Sequence, residues 1–505
     1  MTATATQLKT FTHFIDGQKT PATGEQHQDI YNPATGQVTG QLRLASEQDI
    51  NKTIAAAQKA AEEWSQTSLT KRTKILFSMR EQLVARTDEL AEAITAEQGK
   101  VLDDSKGEIG RALEAVEYAC GIVDQLKGDY SAQIATGVDT FSVREPLGVI
   151  AGITPFNFPA MVPMWMAPLA IATGNAFILK PSERAPSASL ILAELWQAAG
   201  LPDGVFNVLQ GDKVAVDGLL THPDVNAVSF IGSTPIAQYI HDTATAHGKR
   251  VQALGGAKNH AVVLPDADID TAADLLNTAA FGAAGERCMA ISVAVAAGDA
   301  ADALADKLRE RTNNVVVADG MNTNADMGPL ITSAAKERVE RIIGEAEADG
   351  ATLVADGRDL SVKGNEEGFF VGPTVIDHAQ TDMSAYQEEI FGPVLVIVRV
   401  ANLDEAIQVI NENPYGNGTS IFTSTGAFAR KFQRSVNVGM VGVNIPIPVP
   451  AAWHSFGGWN DSRFGDLGVN GADGVSFGTR KKVITQRWPE PTHVSDASFN
   501  FPSHS

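Results

Sequence analysis

The sequence predicts an α/β protein made of two parallel-sheet domains plus a small β extension. Three observations carry the prediction. Short apolar runs alternate with helix-like stretches from residue 148, and a second alternating block runs from about 259 to 445. Strands alternating with helices at this spacing form βαβ units. The chain has 505 residues, more than one hydrophobic core usually organises, so two or three domains are expected. A last strand-like segment, SFGTRKKVITQRW (476–488), stands outside both blocks.

Two amphipathic helices come first. In residues 46–64, Ser46 is a plausible N-cap with Asp49 three residues on, and Ile50, Ile54, Ala57, Ala61 and Trp64 keep a period near 3.6. Residues 103–126 read as a second helix with Ile109, Ala112, Leu113, Val116, Ala119, Cys120 and Val123 as its apolar stripe. Cys120 therefore reads as packing. The apolar runs of the first block are GVIAGI (148–153), AFIL (176–179), VFNVL (205–209) and AVSFI (227–231), with a helix-like stretch at 186–199. No internal repeat or low-complexity linker interrupts the chain. Residues 489–505 are rich in Pro, Ser and His and are expected to be loosely held.

Composition narrows the function. Hydrophobic residues at 44% and charged residues at 20% fit a globular protein without a membrane partner. Lys plus Arg is 39 and Asp plus Glu is 60, a net charge of −21, which argues against binding nucleic acid or anionic membrane by bulk charge. A few arginines in a pocket still suffice for an anionic substrate. Two cysteines cannot build a disulfide framework and point to a reducing compartment. The start, MTATATQLKT, lacks a signal-peptide core, and the most apolar stretch (161–179) is broken by Pro163, Pro168, Gly174 and Asn175. A cytoplasmic location is expected. The ten histidines have no ligand spacing, so no metal is expected.

Four segments carry chemistry. FGAAGERCMA (281–290) sets Cys288 among small residues, directly after Arg287. A thiolate is the attacking form of cysteine, and a nearby positive charge lowers a thiol's pKa. Taken alone, such a cysteine is more often a small buried apolar residue. TPFNFP (154–159) follows a strand, where ligands bind in open α/β sheets. Its Asn157 amide, held between aromatics and prolines, can stabilise an oxyanion; the plainer reading is a turn asparagine. LKPSER (179–184) offers Lys180 and Glu183 to ribose hydroxyls, or simply to solvent beside a helix. FIGSTPIA (230–237) is a small-residue turn that lets phosphate approach backbone N–H groups.

Together and in this order these segments resemble the aldehyde dehydrogenase superfamily. The resemblance runs from THFIDGQ (12–18) to VITQRW (483–488), with EEIFGPV (388–394) and NPYGNG (413–418) between. It implies an aldehyde dehydrogenase-like fold. Residues 12–127 and 148–257 would form the dinucleotide-binding domain, 258–445 the catalytic domain, and 128–147 with 470–490 the oligomerisation strands. Homodimers or homotetramers are implied, the late strand adding to a neighbour's sheet. By the same resemblance Cys288 is the nucleophile, with Asn157 and the Cys288 backbone N–H as its oxyanion hole. NAD is held by Thr154, Phe156, Lys180, Glu183, Arg184, Ser233, Gly255, Glu389 and Phe391. The Glu183 carboxylate would repel a 2′-phosphate and so favour NAD over NADP, a preference Arg184 softens.

One departure decides the branch. Hydrolytic members carry a glutamate just before a Gly-Gly-Lys type segment. Here that region is VQALGGAKNH (251–260), and the position falls on Ala253 or Leu254, neither of which accepts a proton. An acyl-enzyme without a base hydrolyses slowly, so a thiol such as coenzyme A is the expected acceptor. GAKNH, GERCMA and VGVNIPIPVP (441–450) resemble the CoA-acylating methylmalonate-semialdehyde dehydrogenases, a branch associated with valine and inositol breakdown. That branch implies Arg111 and Arg287 as the pair that receives a substrate carboxylate. Arg111 read on its own would pair with Glu108 or Glu114 on its helix. The stretch 451–466 departs from the branch, with Trp453, His454 and Trp459 expected near the substrate mouth.

Three rivals follow from the same residues. A hydrolytic semialdehyde dehydrogenase would need Glu286 or Glu389 as its base. A non-catalytic descendant would have lost Cys288 or Asn157, and both are present. A cysteine hydrolase would leave LKPSER and EEIFGPV without a purpose.

Overall fold

The computed structural model describes residues 8–488, so the 489–505 tail lies outside the described residues. The first block forms an eight-stranded sheet in the order Arg463–Phe464, Arg250–Leu254, Ala227–Ile231, Val149–Ile153, Ala176–Lys180, Phe206–Val208, His13–Ile15, Gln18–Thr20. Its five central strands are parallel and its three outer ones antiparallel. The central runs are apolar without alternation because helices cover both faces. Successive residues serve opposite cores: Ile150, Phe177 and Leu179 face one, while Val149, Ala151 and Ile178 face the other.

The second block forms a seven-stranded sheet: Thr352–Ala355, Thr374–Asp377, Val394–Val400, Ile291–Ala297, Asn259–Val263, Gly418–Phe422, Met440–Val443. Only the edge strand Thr352–Ala355 pairs antiparallel. A single apolar cluster holds this sheet to its helices.

The first helix forms as its pattern requires, over Glu47–Ser65. The Ser46 side chain accepts from the Asp49 N–H (3.2 Å), and the Asp49 carboxylate accepts from the Ser46 N–H (3.0 Å). Trp64 closes it onto the core by donating to the Ile171 carbonyl (2.9 Å). The helix expected over 103–126 is shorter. It spans Leu102–Cys120, breaks at Gly121 and restarts as the single turn Ile122–Gln125. The break rotates Val123 out of the stripe, leaving it exposed. Cys120 is buried as expected, and burial pushes its thiol up to about 11.

The late strand, Thr479–Arg487, pairs along its whole length with Val138–Pro146, which pairs in turn with Tyr130–Ala135. A further three-stranded sheet from Lys9–Phe11, Gln37–Arg43 and His27–Asn32 has no counterpart in the sequence reading. No helix among the described residues is long and apolar enough to cross a membrane.

One side chain ties the first sheet to the extension. Buried Asn175 accepts through Oδ1 from the N–H groups of Leu147 (2.7 Å) and Gly148 (2.9 Å). Its Nδ2 donates to the carbonyls of Ala170 (3.1 Å) and Gly478 (2.9 Å). It thereby joins the end of Val138–Pro146, the end of the Met161–Ala172 helix and the start of Thr479–Arg487. Replacing it with alanine strands several buried groups at once. Asn175→Ala is therefore expected to cost about 3 kcal/mol, read as a lowered thermal midpoint. A midpoint within about 1 °C of the parent would show that water takes over the bonds.

Candidate active site

Cys288 is presented by an uncommon backbone. The helix Ile269–Phe281 ends in a tight turn over Gly282–Gly285, in which Ala283 (φ 50°) and Ala284 (φ 53°) are left-handed. Two adjacent non-glycine residues in that region are strained and persist only where their surroundings fix them. Gly285 (φ 73°) follows, and a Cβ there would lie 2.1 Å from the Gly392 carbonyl oxygen. The chain thus reaches Cys288 just before the strand Ile291–Ala297. The Cys288 carbonyl accepts from Nδ2 of Asn259 (2.9 Å) and of Asn417 (3.1 Å), which fixes the backbone at Cys288.

Two cavities meet at the sulfur. One, about 500 Å³, is lined by Phe156, Asn157, Ser233, Gly255, Glu389 and Phe391 among others. The second, about 320 Å³, is lined by Arg111, Arg287, Met161, Ile447, Val449 and Phe456. Cys288, Phe158 and Trp165 belong to both. A larger cavity, about 800 Å³, opens beside Val138–Pro146 and holds none of the site residues expected from the sequence.

The first cavity gathers five of the residues expected to hold the dinucleotide: Phe156, Ser233, Gly255, Glu389 and Phe391. Ser233 sits at the N-terminus of the helix Thr234–Ala246, its side chain making no capping bond, so the helix end is open to an anion. A Cβ on Gly256 would come within 2.4 Å of a Glu389 carboxylate oxygen, so the glycine leaves room for that side chain where it lies. Phe391 takes φ 51° and meets Phe156 edge-on at 6.0 Å. Thr154, Lys180, Glu183 and Arg184 lie beyond this cavity, following the neighbouring strands Val149–Ile153 and Ala176–Lys180. Thr154 Oγ1 is buried without a partner among the described residues. Lys180 pairs with Glu183 at 3.2 Å. Burial pushes the Glu183 carboxyl up, but the Lys180 charge and hydrogen bonds outweigh it, leaving it below the usual range. Arg184 is exposed.

Arg287 does pull the Cys288 pKa down as expected, but burial outweighs it. Burial pushes the Cys288 thiol up to about 12, and the Glu389 charge adds to the rise. The N–H groups of Cys288 and Met289 and the Arg287 charge pull the other way without prevailing. Arg287 is itself engaged, its Nη2 lying 2.5 Å from Asp104 Oδ1. The resting protein therefore holds a neutral thiol. Glu389 accepts from the Ala257 N–H (3.0 Å), and burial pushes its carboxyl up to about 7. Glu286 points away from both cavities. Its oxygens accept from Gln98 Nε2 (2.8 Å) and the Ile331 N–H (3.3 Å), and burial pushes it up to about 8. Ala253 and Leu254, at the end of the strand Arg250–Leu254, are buried and apolar.

Similarity places this geometry. A sequence model of the aldehyde dehydrogenase family matches residues 20–484. The chain belongs to the aldehyde dehydrogenase family. It is 52% identical to a malonate-semialdehyde dehydrogenase of Pseudomonas aeruginosa, over 98% of this chain and 100% of that one. A malonate-semialdehyde dehydrogenase of Geobacillus thermodenitrificans is 48% identical over 96% and 100%. The crystal structure of a methylmalonate-semialdehyde dehydrogenase from Oceanimonas doudoroffii superposes with TM-score 0.94 at 53% identity, covering 96% of this chain and 99% of that one. A Sinorhizobium meliloti protein in complex with NAD superposes with TM-score 0.95 at 48% identity, covering 96% and 99%.

The residues expected at the substrate side divide. Arg287 and Arg111 both line the smaller cavity, and Arg111 also pairs with Glu114 (2.9 Å). Glu108, the other partner considered for Arg111, turns instead to Lys100 (2.7 Å). Trp453, His454 and Trp459 line neither cavity. Trp453 packs edge-on against Tyr118 at 6.1 Å, and Trp459 pairs with Gly416 at an exposed strand. Phe456 reaches the wall from the same segment, 4.8 Å from the Trp165 ring. Phe456, Trp165, Met161 and Asp104 escaped the sequence reading. Met161 and Trp165 had a signal, one helical turn apart directly behind Asn157. Among the described residues no group of three or more His, Cys, Asp or Glu gathers to hold a metal ion.

The neutral thiol predicts a pH profile. Alkylation of Cys288 by iodoacetamide should quicken about tenfold per pH unit from 7 to 10 without levelling, since only the thiolate attacks. A plateau below pH 9 would mean the thiol is already activated at rest.

Proposed function

We propose that this chain is an NAD-dependent, CoA-acylating dehydrogenase of malonate semialdehyde and methylmalonate semialdehyde. Its products are acetyl-CoA or propanoyl-CoA, carbon dioxide and NADH. The observation that carries the reading is Cys288 at the junction of an arginine-walled cavity and a dinucleotide-shaped one, with apolar Ala253 and Leu254 where hydrolytic relatives keep a base. Relatives named for these two aldehydes, and the related structure in complex with NAD, support it.

The aldehyde enters the smaller cavity with its carboxylate toward the Arg287 and Arg111 guanidiniums, which bind it by charge-assisted hydrogen bonds. Phe158, Met161, Trp165 and Phe456 exclude water around the carbon chain. The Cys288 thiol gives its proton to water, and the sulfur adds to the aldehyde carbon as the carbonyl electron pair moves onto the oxygen. The Asn157 Nδ2 donates one proton to the Glu286 carbonyl (2.8 Å), leaving its other proton for the new oxyanion together with the Cys288 N–H. NAD, when bound along Ser233, Gly255 and Phe391, supplies the hydride acceptor. A malonyl-type thioester remains on Cys288. Its β-carboxylate leaves as carbon dioxide, the electron pair passing into the carbonyl, where the same donors stabilise the enolate. A proton restores an acetyl or propanoyl thioester. The coenzyme A thiolate then attacks that carbonyl and Cys288 leaves.

A hydrolytic reading has one observation behind it. Glu389 shares the 500 Å³ cavity with Cys288, and burial pushes its carboxyl up to about 7. Glu286 offers no such route, since its carboxyl is committed to Gln98 and Ile331. Assembly into dimers or tetramers through the Tyr130–Ala135, Val138–Pro146 and Thr479–Arg487 sheet belongs to the same proposal. Tyr130, Ile134 and Val483 are exposed apolar side chains on it.

Two measurements test the reading. NADH formation from malonate semialdehyde is followed with and without coenzyme A, with carbon dioxide trapped and the acyl product identified. Sustained turnover should need coenzyme A and give acetyl-CoA, with a single burst in its absence. Equal turnover without it, releasing a free acid lost in Glu389→Gln, would establish the hydrolytic reading instead. Arg287→Gln should raise KM for malonate semialdehyde by roughly 100-fold while leaving KM for propanal almost unchanged. Equal effects on both aldehydes would remove Arg287 from carboxylate recognition.

A further inference from the structure

We infer that the buried Lys100–Glu108 ion pair is a positioning device for the oxyanion hole, holding the Asn157 loop in register with the Cys288 segment; this rests on Asn157 acting as an oxyanion donor. Lys100 follows the helix Thr87–Gln98, and Glu108 lies on Leu102–Cys120. Their side chains meet at 2.7 Å with no exposed surface. Desolvation makes such a pair a poor source of stability on its own. Where its remaining bonds go is informative.

Every one goes to the loop that carries Asn157. Lys100 Nζ donates to the Asn157 carbonyl (2.5 Å) and lies 4.2 Å from the centre of the Phe158 ring. Glu108 Oε1 accepts the N–H groups of Ala160 (2.7 Å) and Met161 (2.9 Å), which open the helix behind the loop. Residues 157–161 are thus gripped by a cation on one carbonyl and an anion on two amides.

A second chain of bonds closes the circuit. The Lys100 N–H donates to Gln98 Oε1 (3.0 Å), Gln98 Nε2 donates to Glu286 Oε2 (2.8 Å), and the Glu286 carbonyl accepts from Asn157 Nδ2 (2.8 Å). Lys100, Gln98, Glu286 and Asn157 are all buried, and Glu286 lies two residues before Cys288. Asn157 Oδ1 has no partner among the described residues, so its backbone and the Nδ2 bond alone set the plane of the amide. Both routes start at Lys100. Glu108 borders the smaller cavity, but its carboxylate oxygens are taken up by Lys100, Ala160 and Met161; Lys100 and Gln98 line neither cavity, so they act through Asn157.

Removing one charge would leave the other buried and unpaired, a threat to folding. The test therefore uses Lys100→Met with Glu108→Gln, which removes both charges and keeps an acceptor for Ala160 and Met161. The readout is the first-turnover NADH burst with any aldehyde the parent oxidises, which needs neither decarboxylation nor coenzyme A. The burst should slow by roughly 100-fold, while NAD affinity and Cys288 alkylation stay within about twofold. In an Asn157→Ala background the same change should cost less than about threefold more, because positioning has nothing left to position. Should the double variant not fold, Lys100→Arg, which keeps the charge but alters the reach to Asn157, carries the same comparisons. A near-parental burst, a multiplicative loss in the Asn157→Ala background, or a loss matched by weaker NAD binding would each overturn the inference. If Asn157→Ala itself leaves the burst unchanged, the oxyanion reading fails, which is a separate result.

Discussion

The site depends on how little chain separates the two sheets. The strand Arg250–Leu254 ends the parallel part of the first sheet, and Asn259–Val263 opens the centre of the second. Only Gly255, Gly256, Ala257 and Lys258 lie between. Lys258 anchors this link by donating to the carbonyls of Ala385 (2.8 Å) and Glu388 (2.7 Å), burial pulling its pKa down to about 7. So short a link forces the carboxyl edge of one sheet against the amino edge of the other. Asn157 and Ser233 follow strands of the first, Cys288 precedes a strand of the second, and the reacting carbon has one place to sit.

That arrangement explains which parts of the site could be read in the sequence. Residues after apolar runs, such as Asn157 and Ser233, are announced by the strand pattern, because ligands collect at carboxyl strand ends. Cys288 is announced by its small neighbours and Arg287. Both blocks and the capped first helix are equally plain, since their periodicity reflects burial directly. The break at Gly121 was hidden because the apolar spacing continues through it. The N-terminal sheet was hidden because its strands are short and largely exposed, so burial leaves little pattern.

What the sequence could not show is partnership at long range. Arg287 looked like a charge free to activate its neighbour, but Asp104, 183 residues away, takes it up. The Cys288 pKa then follows burial instead. Lys100 and Glu108 sit on segments with no motif, and nothing local marks them as internal. In 451–466 the tryptophans drew attention by size, whereas the position that packs inward is Phe456, chosen by where the chain crosses Trp165.

The neutral resting thiol also governs durability. Burial pushes the Cys288 thiol well above the ordinary cysteine range, and peroxide oxidises thiolates rather than thiols. The same burial that holds the sulfur toward its neutral form therefore shields it from oxidants.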